Sequence, residues 1–133
     1  MKRNKDAYMN YICPHCWNTL DNCSCHVFPP YHLTLIDRNI QEHIRILNEK
    51  GYRTTACCEG HREVCLSTYV AFANNYFDDT SVPDGFKYDE KGQMIIYTYS
   101  TKLTGEKMEE IKKEKLTTML EWCKKLPNRN MEN

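Results

Sequence analysis

Val64-Cys65-Leu66-Ser67-Thr68-Tyr69-Val70-Ala71-Phe72 alternates in a way that suits an extended chain. Val64, Leu66, Val70 and Phe72 fall on one face with Thr68 among them, and Cys65, Ser67, Tyr69 and Ala71 fall on the other. A period of two in a run rich in β-branched and aromatic residues predicts a half-buried strand. Downstream, Gln93 to Ser100 reads as a second strand, with Met94-Ile95-Ile96-Tyr97-Thr98-Tyr99 apolar enough for both faces to be partly covered. Between them, residues 74–92 form a polar loop with turn signals at Pro83-Asp84-Gly85 and Lys91-Gly92, and Phe86 to Tyr88 adds a little pairing. Upstream, Tyr52 to Cys57 reads as a short strand and Glu59-Gly60-His61 as a turn.

Helical signals flank these strands. From Leu33 the pattern turns helical: Asp37 suits an N-cap, Ile40, Ile44 and Leu47 recur at i, i+4 and i+7, and Gly51 sits where a helix ends. Thr104 caps a last helix that runs to about Leu126 and stops at Pro127. Its buried stripe is Met108, Ile111, Leu116, Met119, Leu120 and Cys123, with Glu109–Lys113 and Glu121–Lys125 pairs on the other side. The order helix, strand, strand, strand, helix predicts an α+β fold: a two-layer sandwich of a small, mostly antiparallel sheet carrying two helices on one face. Residues 1–30 are expected to be a zinc-binding knuckle with a polar, frayed start through residue 12. The α/β domain spans 31–127, and 128–133 reads as a disordered tail.

Eighteen Lys and Arg balance eighteen Asp and Glu, and neither half of the chain carries a basic excess. Long nucleic acid held by its phosphates is therefore not favoured. The first residues are basic but no apolar segment follows, and no run approaches the roughly 20 apolar residues of a membrane span. A cytoplasmic location is expected, where thiols stay reduced.

In that setting Cys13, Cys16, Cys23 and Cys25 read as ligands of a structural Zn2+. Cys13-x2-Cys16 has the usual knuckle spacing; Cys23-x-Cys25 is tighter, and His26 offers an alternative fourth ligand. Trp17 stands where such knuckles often carry Gly, which points to a compact, distorted turn. Four unmetallated thiols, or an open catalytic zinc with three cysteines, are the weaker alternatives. His15 is expected to face water.

Thr54-Thr55-Ala56-Cys57-Cys58-Glu59-Gly60-His61 puts a thiol, a carboxylate and an imidazole within four residues at a strand end. Such groups suit nucleophilic or acid–base chemistry, and a glycine lets the backbone approach an anion. On spacing alone, a buried cysteine pair followed by a solvent-facing turn explains the segment as well.

The stretch from Ile40 through Phe72 adds a resemblance. Ile44, Leu47-Asn48, Lys50-Gly51-Tyr52, Thr54, Cys57-Cys58-Glu59-Gly60-His61 and Tyr69-Val70-Ala71-Phe72 resemble a small family of uncharacterised bacterial and phage proteins. In these a cysteine knuckle precedes an LN-x-KGY-x-T-x-x-C-x-GH core. More distantly, the stretch is similar to the wybutosine-synthesis tRNA methyltransferases, with Asn48, Tyr52, Thr55, Cys58 and Gly60 where their pattern expects them. Cys57 and Glu59 stand in place of serines, and His61 in place of an arginine. The resemblance implies a shared architecture with a polar pocket at this turn, and the methyltransferases would imply methyl transfer from S-adenosylmethionine.

The expected ligand site is thus Asn48, Tyr52, Thr55, Cys58, Glu59, Gly60 and His61, taking a nucleotide-like or other polar small molecule. A phage-borne version would sequester a signalling nucleotide or block a host protein. The alternatives are an RNA- or nucleotide-modifying enzyme using Cys58, Glu59 or His61, and a zinc-stabilised protein-interaction module. If the turn faces a ligand, Glu59→Ala and His61→Ala should leave stability nearly unchanged. The acidic 78–90 loop lacks calcium-loop spacing, His43 reads as a boundary histidine, and Trp122, Tyr97 and Tyr99 read as packing residues. Cys65 and Cys123 read as small apolar residues.

Overall fold

The computed structural model describes residues 9–13, 16–19, 34–62 and 64–129. Cys23, Cys25, His26 and His15 lie outside the described residues. The chain is α+β: two helices and two small antiparallel sheets. Strand β4 (Ser67–Phe72) lies inside the larger sheet, between β3 (Thr54–Cys58) and β6 (Met94–Thr98), with β5 (Lys87–Asp89) at the far edge beside β6. Thr68, Val70 and Phe72 are buried, as the alternation requires, whereas Val64 is 73% exposed and precedes the strand.

The smaller sheet departs from the expectations. Residues 34–37, read as the start of a helical pattern, form β2 (Thr34–Asp37), and Met9–Ile12, expected to fray, forms β1. Each stretch is ambiguous alone. Their antiparallel register, from Met9 opposite Asp37 to Ile12 opposite Thr34, gives both backbones partners that neither finds locally. Asp37 therefore ends a strand and caps no helix. The first helix, α1 (Gln41–Glu49), starts with Ile40 at the cap position and no side-chain cap.

The end of α1 follows its sequence closely. Gly51 takes φ +94, its N–H donates to Asn48 O, and the Tyr52 N–H donates to Leu47 O, the paired bonds of a Schellman ending. Helix α2 (Gly105–Lys125) begins at Thr104, whose hydroxyl accepts from the Lys107 N–H at 3.1 Å. At its other end Lys50 Nζ donates to the carbonyls of Cys123, Lys124 and Leu126, placing a cation at the negative end of the helix dipole. Arg129, assigned above to a disordered tail, donates to Lys50 O and Gly51 O and lies over the Tyr76 ring.

Ile40 at the cap of α1, with Ile44 and Leu47 within it, joins Leu116, Met119 and Cys123 of α2 over Val70, Phe72 and Ile95 of the sheet. Ile12 and Ile36 extend that core into the smaller sheet. Among the described residues no helix is long and apolar enough to cross a membrane.

His43 is not at the boundary: it is buried between the helices, 2.7 Å from Leu116 O through Nε2. A carbonyl only accepts, so Nε2 carries the proton; Nδ1 is buried with no hydrogen-bonding partner among the described residues. Burial holds the imidazole below its usual 6.5, against the opposing effect of the Leu116 carbonyl. The folded chain then refuses a proton that the unfolded chain accepts, so stability falls as pH drops below about 6.5. Denaturant unfolding of metal-free protein between pH 7.5 and 5 should show stability falling with pH, this residue contributing at most about 1.4 kcal/mol per pH unit. That slope should be reduced in His43→Gln; an unchanged slope would mean the histidine charges in place.

Candidate metal centre

Strand β3 ends at Cys58, and the pleat there sorts two adjacent cysteines onto opposite faces. Cys57 lies across from Val70, which lies across from Ile95, in a row packed on the helices. Cys58, Tyr69 and Ile96 form the next row, on the opposite face. The chain then turns through Gly60 at φ +102. A Cβ at this position would press on the Tyr99 ring at 3.1 Å and on Thr68 Oγ1 at 3.2 Å, adding to the backbone preference for glycine.

Glu59 corrects the expectation of a solvent-facing turn: it is 2% exposed. Asn39 donates its backbone N–H to one carboxylate oxygen and its side-chain amide to the other, each at 3.0 Å. Lys112 Nζ, also buried, donates to the second oxygen at 3.0 Å and to Gly60 O at 3.1 Å. Thr68 Oγ1 donates to Glu59 O at 2.7 Å and lies 2.6 Å from the Tyr99 hydroxyl. Burial would raise the Glu59 carboxyl, but the Asn39 bonds and the Lys112 ammonium outweigh it and hold the group below its ordinary value. Lys112 is held above its ordinary value, the Glu59 contact and the exposed Glu109 carboxylate at 3.2 Å together outweighing its own burial. Both shifts describe one buried, fully charged pair.

Beside this pair lies a second cluster. Asp37, Cys58 and His61 each present one ligand atom, and the three atoms lie within 4.8 Å of one another. Asp37 Oδ2 accepts from the Glu59 N–H at 2.8 Å and sits 3.0 Å from His61 Nε2. Asp37 Oδ1 is buried and has no hydrogen-bonding partner among the described residues. A buried carboxylate oxygen in that state is costly unless a cation or donor reaches it. A tetrahedral zinc site has donor-to-donor separations of roughly 3.3–3.8 Å, so small shifts, including a slight opening of the 3.0 Å Asp37–His61 contact, bring these atoms onto an ion.

The same surroundings disfavour a thiolate without a metal. Burial pushes the Cys58 thiol well up, with the Cys65 thiol and the Asp37 charge adding to the rise. Cys57 is pushed up to about 12, by burial first and then by the Asp37 and Glu59 charges. Nucleophilic cysteine chemistry needs the opposite environment, whereas a bound divalent ion deprotonates a coordinating thiol.

The expected ligand set is split by the strand. Asn48 donates to Ile44 O and Thr54 Oγ1 and accepts from the Thr54 N–H, and Tyr52 is buried with its hydroxyl on Pro127 O. Both lie near the start of β3, about 13 Å along the strand from Cys58. Thr55 is exposed between them. Cys58, Glu59, Gly60 and His61 do come together, joined by three residues assigned other roles or none: Asp37, Asn39 and Lys112. Lys112 carried a signal, since it recurs with Met108, Leu116 and Met119 on the buried face of α2.

Of the two cysteine groups in the sequence, the described part of the first holds Cys13, buried, and Cys16, partly buried. Trp17 N–H donates to Cys13 O at 2.8 Å, and Trp17 takes φ +58, the conformation usually left to glycine. Compared with protein-family models, curated proteins and solved structures, the chain has no match in any of the three. The functional argument therefore rests on these residues themselves.

Removing Lys112 strands the buried Glu59 carboxylate, whereas removing Glu59 leaves Lys112 with the exposed Glu109 carboxylate at 3.2 Å. Lys112→Met should lower unfolding free energy by about 3–5 kcal/mol, and Glu59→Ala by less. The double replacement Glu59→Gln with Lys112→Met should cost clearly less than the sum of its single changes. Additive losses in denaturant titrations would show that the pair is not coupled.

Proposed function

We propose that this chain is a zinc-binding protein with two centres, one in the N-terminal cysteine knuckle and one at the turn after β3, and that the second is its functional site. One observation carries the reading: a carboxylate, a thiol and an imidazole lie within 4.8 Å of one another, and the carboxylate keeps a buried oxygen with no hydrogen-bonding partner among the described residues. Sulfur and imidazole donors favour zinc over magnesium or calcium, which prefer oxygen. For the knuckle, support comes from Cys13-x2-Cys16 spacing and from the tight turn at Trp17, with Cys23 and Cys25 as the further ligands.

A second reading, a polar small-molecule binder, is favoured by a groove of about 450 Å³ next to the turn. Asn39, His43, Lys112, Lys113, Leu116 and Thr117 line it. Two of its polar anchors, the buried Lys112 and the exposed Asn39, are already committed to Glu59, so a ligand there would compete with the fold. The metal reading needs no such exchange.

Elemental analysis of purified protein should find two zinc ions per chain. Cys13→Ser should remove one and His61→Ala the other. Saturating metal at about 100-fold over its dissociation constant should stabilise each site by about 2.7 kcal/mol, lost on chelation. Zinc content unaffected by His61→Ala would reject the turn as a metal site.

A further inference from the structure

We propose that Cys65 is the fourth ligand of the centre formed by Asp37, Cys58 and His61, which makes that centre closed. The inference rests on the metal reading above and decides what such a metal can do. His61 and Cys65 face each other across a small bridge: the His61 N–H donates to Cys65 O at 2.7 Å, and the Cys65 N–H donates back to His61 O at 2.9 Å. That reciprocal pair fixes the Cys65 backbone against a residue of the cluster. Its thiol is a neighbour of the Cys58 thiol and donates to the Ser67 carbonyl at a long 3.6 Å; it stands outside the 4.8 Å group of Asp37, Cys58 and His61, and an ion would draw it in.

In sequence the three contiguous donors read Cys58-x2-His61-x3-Cys65, with Asp37 supplied by a different sheet. Two residues separate the first pair, a spacing in which one tight turn directs both side chains to one ion. Cys57 is excluded by the pleat, because it faces the core row of Val70 and Ile95. Tyr69 lies directly across from Cys58 on the same face of the sheet.

The chemistry balances simply. A divalent ion forms bonds to both sulfurs, each thiol loses its proton to solvent, and Asp37 and His61 bind without a further proton change when the imidazole is neutral. Two thiolates, one carboxylate and one imidazole fill a tetrahedron. No position is left for an activated water, so the metal acts as a structural or regulatory clasp and not as a hydrolytic centre.

Cobalt substitution of the full-length protein tests this, because tetrahedral cobalt shows visible d–d absorption and a sulfur-to-cobalt band that scales with the number of thiolates. The Cys58→Ser/Cys65→Ser double variant gives the contribution of the N-terminal cysteines, to be subtracted. Relative to that baseline, Cys65→Ser should halve the sulfur-to-cobalt band of the wild type, and Cys57→Ser should leave it unchanged. Cys65→His, which restores a fourth donor, should keep the tetrahedral d–d pattern at half the sulfur band. If Cys65→Ser or Cys65→His retains the full band, the assignment of Cys65 is overturned. If Asp37→Ala, Cys58→Ser and His61→Ala also leave the spectrum untouched, it is the metal centre itself that fails.

Discussion

The buried ion pair of Glu59 and Lys112 is the interaction on which the rest of the molecule depends. It joins the turn after β3 to α2, and the two Asn39 bonds join the same carboxylate to the segment before α1. Through its backbone, Glu59 also reaches Asp37 and Thr68. Five parts of the chain thus converge on one residue. Hydrophobic contact is non-directional and would tolerate a sliding turn. A charge with three directed donors in a low-dielectric setting does not, which is why Cys58 and His61 have defined positions on either side of it.

This arrangement also divides the polar residues of the turn by task. Glu59 is matched by Lys112 and contributes no net charge. Asp37 has no such partner lysine, and its neighbours are the His61 imidazole and the Cys58 thiol. A centre of that composition is short of positive charge and rich in donors. The demand is met by one divalent ion and by few organic molecules.

Much of the architecture was legible because local and global preferences agree. The Thr104 cap, the Gly51 ending, the alternation at Thr68, Val70 and Phe72, and the stop at Pro127 each have a local physical cause. The small sheet was not legible, since β1 and β2 are short and each needs the other's backbone. Asp37 was misassigned for a related reason: an aspartate before a helical stripe suits an N-cap, and nothing local reveals a strand ending there. Cys65 was read as an apolar residue because alternation placed it in a strand, yet β4 begins only at Ser67, and the residues before it bend back on His61. Lys112 was hidden by its type, as lysine is seldom buried without a partner, and the partner lies far away in sequence.

The seam between the two sheets gives the proposed centre a meaning for how the chain folds. Asp37 belongs to the small sheet, whereas Cys58 ends a strand of the large one and His61 and Cys65 form a separate bridge in the connection that follows. An ion bound there is a cross-link closing a loop that contains all of α1. In the unfolded chain the entropy of closing that loop opposes such binding, so the ion is captured late, after the large sheet and helices have formed. The small sheet would then be the last element to lock and the first to open when metal is withdrawn, which makes metal supply a control on the order of assembly as well as on final stability.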